Sequence, residues 1–373
     1  MSTNPTDYLS AIKNMDEQFQ SYMILAFTLI ILIIFIGYMI YLSRLQNNEC
    51  NYMNSLYPSV DGYIRPITAN DPDCSANLFD YYIKTAYNAC SGGNYKNDFV
   101  NICNLKALIK QGVRGLDFEV YSINNQPVVA TSTIDNYYVK ETFNYVDFGS
   151  VMDTIVNYAF SGGTCPNPTD PLIIHLRFMS NNQEMYTNLS TIFASYTNYM
   201  LGPNYSYESE GLNLGNTPLL SLQNKIILIV DRSNTSFLEN EKFLEYVNMT
   251  SNSIFMRLYN YYDVKNNPDI NELTDYNKTG MTIVTPDSGS NPGNPSGLAC
   301  RELGCQMVAM RYQVVDNFLM ESTAFFDAGR YAFVLKPPPL RYSPVTVPAP
   351  TPQDPNYSYG TRTASTDYYS FNF

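Results

Sequence analysis

Lys225-Ile226-Ile227-Leu228-Ile229-Val230-Asp231 is an unbroken apolar run closed by a charge at each end. Such a run is typical of a strand covered on both faces, as in a parallel sheet. Upstream, residues 172–178 (Leu-Ile-Ile-His-Leu-Arg-Phe) read as a second strand, and residues 148–160 place Val151, Ile155 and Ala159 at helical spacing. Residues 113–121 and 127–131 read as a further strand and its neighbour. Strand, helix and strand at these intervals make an α/β pattern with parallel pairing.

The N-terminus is of another kind. No charged residue lies between Glu17 and Arg44, and residues 22–42 are almost wholly Ile, Leu, Met, Phe and Tyr. At about 1.5 Å per residue that run matches a hydrocarbon core of about 30 Å. A cleavable leader fits less well, because the run is long, starts late and ends in Leu42-Ser43-Arg44, with no small-residue cleavage site. The expected organisation is a polar segment (1–21), a transmembrane helix (22–43), a Pro-containing connector (44–79), a folded domain (80–341) and a Pro- and Tyr-rich tail (342–373). Lys13 and Arg44 flank the apolar run on opposite sides, so orientation stays open.

A net charge of -12 argues against nucleic acid as a partner and against docking on anionic headgroups by charge alone. The expected membrane partner is therefore the bilayer core, through residues 22–42. With 45% hydrophobic residues the chain can build a sizeable core. Its seven cysteines (Cys50, Cys74, Cys90, Cys103, Cys165, Cys300 and Cys305) form no CxxC pair, and the single His stands near none of them. Zinc is not expected, and one to three disulfides are permitted but not required. Six Asn-x-Ser/Thr sequons begin at Asn188, Asn204, Asn234, Asn248, Asn277 and Asn356. In a chain so rich in Asn, Ser and Thr about six arise by chance. Residues 266–298, rich in Asn, Pro, Gly and Ser, are expected to form a long surface loop, and the residues beyond 341 an extended tail or a partner-binding arm.

Gly304-Cys305-Gln306-Met307-Val308-Ala309-Met310, followed by Phe333-Val334-Leu335-Lys336-Pro337 and Leu340-Arg341, resembles the second catalytic half of phosphoinositide-specific phospholipase C. The first half agrees. Ala86-Tyr87-Asn88-Ala89 is similar to the family's Ser-His-Asn-Thr, and Gly115-Leu116-Asp117-Phe118-Glu119 to its Cys-Leu-Glu-Leu-Asp. Pro127-Val128-Val129, Asn157-Tyr158-Ala159-Phe160 and Pro171-Leu172-Ile173-Ile174-His175-Leu176 continue the likeness in order. The resemblance implies a distorted TIM barrel of the phospholipase C-like phosphodiesterase type over residues 80–341, without the accessory lipid- and calcium-binding domains of animal members.

The resemblance also implies a reaction that needs a general base, a general acid and calcium. Tyr87 and Thr131 stand where the two catalytic histidines are expected, and a phenol with a pKa near 10 is a poor base at neutral pH. Asn88, Asp117 and Glu119 match three calcium ligands, while Arg177 replaces the fourth. Two unit positive charges about 4 Å apart repel by about 4 kcal/mol at an effective dielectric of 20, and a divalent ion doubles that. Calcium is therefore expected to be lost, with Arg177 paired to Asp117 or Glu119. Ile229 and Asp231 occupy the family's phosphate-binding lysine positions. A relict pocket of Asn88, Asp117, Glu119, His175 and Arg177 is expected, with no catalytic residue and no metal. Two alternatives are phosphate-ester or headgroup binding through Arg177, and residual phosphodiesterase activity using His175 and Arg177, which share one face of their strand. An inert enzyme fold on a membrane anchor resembles virion membrane or minor capsid proteins of large DNA viruses, which implies capsid or membrane proteins as partners.

Overall fold

The computed structural model describes residues 17–133, 139–206, 213–344, 348–352, 354, 357 and 360–373. Eight parallel strands build the barrel: β1 (Tyr81–Ala86), β2 (Gly115–Ile123), β5 (Leu172–Phe178), β6 (Ile226–Asp231), β7 (Met249–Ser251), β8 (Met256–Asn260), β9 (Met281–Thr285) and β10 (Met307–Met310). They pair in the order β7-β6-β5-β2-β1-β10-β9-β8. A hairpin of β3 (Gln126–Ala130) and β4 (Val146–Asp147) hangs on β2, and β11 (Phe333–Leu335) runs antiparallel to β1. No ladder joins β7 to β8. Only residues 252–255 connect them, where a parallel pair needs a crossover of about a dozen. The barrel is nearly closed, open at that one seam.

Alternation along each strand sorts side chains into two layers. On β5 Leu172, Ile174, Leu176 and Phe178 pack outward on the helices, with Leu116, Phe118, Leu228 and Val230 from its neighbours. The inward set begins apolar, with Ile83, Ile173, Ile227, Ile283 and Met307. One step further along β2 and β5 it turns polar, at Asp117 and His175. Gly115 sits where the lining strands crowd: a Cβ there would lie 2.5 Å from Thr85 Oγ1. The outer helices include α2 (Ile102–Lys110), α3 (Phe148–Ala159), α4 (Gln183–Ala194), α5 (Glu241–Leu244), α6 (Tyr261–Lys265), α7 (Ile270–Tyr276), α8 (Gly297–Glu302) and α9 (Asn317–Gly329).

Upstream of the barrel lies α1 (Glu17–Leu56), 40 residues long. Its apolar stretch is long and apolar enough to cross a membrane, and none of it is buried against protein. The connector expected from residue 44 begins as helix, since α1 continues to Leu56, and beyond it Ile64, Ile67 and Cys74 are buried. Its last turns are amphipathic: Glu49 and Met53 are buried, and Cys50 forms a disulfide with Cys103 of α2.

Two further expectations are corrected. Residues 266–298 are not one loop, since they contain α7, the barrel strand β9 and the start of α8. Met281-Thr-Ile-Val-Thr is a short run, apolar and β-branched, hidden between polar turns, and it is buried throughout. Tyr342–Phe373 forms a second compact unit with structure of its own, in which β12 (Thr363–Ser365) and β13 (Ser370–Asn372) pair antiparallel. The rings of Tyr369, Phe371 and Phe373 follow one another at centroid spacings of 6.1 and 5.9 Å.

Candidate functional site

Inward positions of β2 and β5 supply the centre of the barrel mouth. Their register sets Asp117 beside His175 and Glu119 beside Arg177. Asn88 joins from the turn after β1, where its φ of 44° is a left-handed conformation that Asn tolerates better than most residues.

These five residues share one hydrogen-bonded cluster, nearly free of solvent. Arg177 donates from Nε to Asp117 Oδ1 at 3.1 Å and from Nη2 to Asp117 Oδ2 at 2.8 Å, a bidentate pair. The same Nη2 donates to Asn88 Oδ1 at 3.0 Å and lies 3.2 Å from Glu119 Oε1. Glu119 also accepts from Asn88 Nδ2 at 3.0 Å, Tyr121 Oη at 2.8 Å and the Ser132 backbone N–H at 2.9 Å. Every one of these contacts is a donor, as a carboxylate requires. Burial alone would raise the Asp117 carboxyl, but the Arg177 charge and the His175 hydrogen bond outweigh it and hold the group well below the usual carboxylate range.

The ion that the resemblance implies is calcium. Calcium takes six to eight oxygens and needs them uncommitted. Here the three matching side chains all converge on one guanidinium, a positive charge that would repel the ion. No group of three or more His, Cys, Asp or Glu side chains placed to hold a metal is found among the described residues. The residues do not fit the ion.

Tyr87 lies face-on to this cluster, with the Arg177 guanidinium carbon 4.6 Å from its ring centroid. Burial pushes its phenol well above the ordinary value, so it keeps its proton. Thr131 is turned away, donating to the Tyr95 carbonyl at 3.1 Å. Ile229 is buried in the wall beside His175, and Asp231 stands at the mouth.

One member escaped the sequence reading. Ser251 Oγ at the end of β7 is hydrogen-bonded at 2.9 Å to His175 Nε2, whose Nδ1 meets Asp117 Oδ1 at 2.7 Å. The Asp117-His175-Ser251 order has the connectivity of a charge relay. All three residues are fully buried, so the serine oxygen has no approach for a substrate, and the relay closes on the Arg177 cluster instead. A serine on a three-residue strand carries no signal of its own in the sequence.

Residues 224–339 match the family model of the phosphatidylinositol-specific phospholipase C Y domain. No curated protein matches the chain by sequence. Among solved structures, PLC21 of L. pealei superposes with a TM-score of 0.56 at 16% identity, covering 72% of this chain and 38% of that one. PLC21 of S. officinalis gives 0.55 at 16% identity, with coverage of 72% and 38%. This chain thus spans well under half the length of either, and what it shares with them is the barrel fold.

Proposed function

We propose that this chain is a membrane-anchored, catalytically inactive relative of phosphatidylinositol-specific phospholipase C whose barrel serves as a structural or docking body. The observation that carries this reading is Arg177, which takes up Asn88, Asp117 and Glu119 together and stands in place of a metal. Tyr87, protonated and stacked on that guanidinium, supplies no base, and Thr131 is committed to a backbone carbonyl. Headgroup capture by Arg177 is disfavoured as well, because its charge is already matched by two carboxylates.

In this reading α1 holds the protein in a bilayer as a single-pass anchor. Its continuation beyond the apolar run into residues that pack on the barrel favours an anchor over a removable leader. The expected partners are proteins of a membrane-bounded assembly, a virion membrane or capsid being the instance suggested by the sequence. Absence of the protein from purified particles would remove that instance alone.

The direct test is turnover. Purified full-length protein in detergent should hydrolyse neither phosphatidylinositol nor glycerophosphodiesters, with calcium or with chelator, and His175→Ala should change nothing. Hydrolysis abolished by His175→Ala would replace this reading with a residual phosphodiesterase.

A further inference from the structure

Two features outside the barrel mouth, the Cys50–Cys103 disulfide and the placement of the sequons, point to one conclusion. We propose that the barrel lies on the oxidising side of the membrane and that Asn204 carries an N-linked glycan there. The inference rests on the anchored reading of α1 and adds to it an orientation and a modification site.

Cysteine usage sets the side. Cys50 and Cys103 are half-buried and bonded to each other, while Cys74, Cys90, Cys165, Cys300 and Cys305 are buried and free. Every cysteine within reach of solvent is thus paired. Disulfides form and persist in oxidising compartments and are rare where thiol buffers keep cysteines reduced. This one joins α1 to α2 on the C-terminal side of the apolar run, so it forms in the compartment that holds the barrel. Lys13 and Arg44, one on each side of that run, set no opposing bias.

Chance accounts for the number of sequons, but the fold decides which of them can carry sugar. Three are buried and tied to backbone: Asn234 Nδ2 donates to the Phe178 carbonyl at 3.1 Å, Asn248 Nδ2 to that of Tyr205 at 3.1 Å and Asn277 Nδ2 to that of Leu303 at 2.8 Å. Asn188 sits within α4, with its Nδ2 donating to the Asn125 carbonyl at 2.8 Å. The hydroxyl of that sequon, Ser190 Oγ, is committed to the Thr187 carbonyl at 2.7 Å in a buried position. Asn356 lies outside the described residues.

Asn204 differs on each count. It is exposed in the turn Pro203–Tyr205, which follows Gly202 at a φ of 87°, and its amide has no partner among the described residues. The middle position is Tyr205, not proline, and Ser206 leaves the turn in extended backbone (φ -69°, ψ 150°). A bulky, solvated sugar chain fits such a surface turn without displacing packed atoms. The donor is a lipid diphosphate-linked oligosaccharide. Nδ2 of Asn204 bonds to its anomeric carbon, the bond from that carbon to the diphosphate oxygen breaks, the lipid diphosphate leaves, and the amide proton passes to the transferase.

The full-length chain expressed in cultured eukaryotic cells tests the proposal, with membranes washed in alkaline carbonate and then treated with peptide N-glycosidase before electrophoresis. One discrete gain in mobility is expected. Asn204→Gln and Ser206→Ala should each abolish it, while Asn188→Gln and Ser206→Thr, which keeps the sequon, should retain it. Retention in Ser206→Thr separates loss of the acceptor from a folding defect at the turn. A carbonate-resistant chain without any shift would overturn the inference and leave the anchor standing. A shift that survives Asn204→Gln but is lost in Asn188→Gln or Asn356→Gln would overturn the assignment of the site. Release by carbonate would count against the anchor alone, and the shift is then read in the supernatant with the same outcomes.

Discussion

Replacing Arg177 with Glu should turn a closed ion cluster into a calcium-dependent one. Arg177 is 3% exposed and makes the bidentate pair with Asp117 together with the contacts to Asn88 and Glu119. Removing one partner of a buried ion pair costs about 3–5 kcal/mol, because the other charge is left without compensation. The variant adds a third carboxylate to that deficit, so the upper end applies without metal. For a barrel of this size about 2–4 °C accompanies each kcal/mol, which places the loss in melting temperature at roughly 10–20 °C. Calcium should restore much of it: a ligand at a hundredfold its dissociation constant contributes about 2.7 kcal/mol. The assay is thermal unfolding of the detergent-solubilised protein, followed by circular dichroism, in millimolar calcium and in chelator. The wild type should melt at one temperature in both buffers, Arg177→Glu should melt lower and respond to calcium, and Arg177→Gln should melt lower without responding. A wild-type barrel stabilised by calcium would refute the claim that the guanidinium stands in the metal position. So would an Arg177→Glu variant as indifferent to calcium as Arg177→Gln.

Two further outcomes follow from the junction between α1 and the barrel. Burial, with a smaller contribution from the Asp98 carboxyl, raises Glu49 to about 9, so the folded protein holds a proton that the unfolded chain, near 4.5, releases. The stability this contributes is complete below pH 4.5 and falls as pH rises towards 9; discounted for water at the junction, the fall between pH 5 and 8 should be about 2 kcal/mol, and Glu49→Gln should flatten it in urea titrations at the two pH values. For the cysteines, denaturing alkylation without reductant should label the five free thiols and spare Cys50 and Cys103, while prior reduction should expose all seven; labelling of all seven without reductant would remove the staple.

What the sequence made legible follows from where the signal was concentrated. The run at Ile226–Asp231 announced itself as a doubly covered strand, and Leu172–Phe178 as a strand, because both are apolar for most of their length. The inward polar set on β2 and β5 was readable once the resemblance supplied a register, since parallel pairing then sets Asp117 beside His175 and Glu119 beside Arg177. β9 was missed because five residues between Gly280 and Pro286 are too few for a period to stand out from an Asn- and Pro-rich background. Ser251 was missed for a different reason: its partner lies 76 residues away, and only the curvature of the barrel brings them together. The sequons show the same limit, since Asn234, Asn248 and Asn277 are buried, where they hold backbone groups: Asn248, for example, accepts from Leu228 N at 2.8 Å.

The continuation of α1 bears on what kind of membrane protein this is. An enzyme that searches a bilayer for lipid gains from a flexible stalk, which lets its mouth meet substrate at many angles. Here no flexible segment separates the apolar run from the barrel: residues 42 to 50 are one helix, and at 1.5 Å per residue they put the disulfide about 12 Å beyond the end of the apolar run. Glu49, Cys50 and Met53 then fix the helix to the body beside α2. With the helix in a bilayer, as proposed, the barrel is held at a set height and a set angle. Such a mount suits a body that must present one face to neighbouring proteins. It accords with a mouth in which Arg177 takes up Asn88, Asp117 and Glu119.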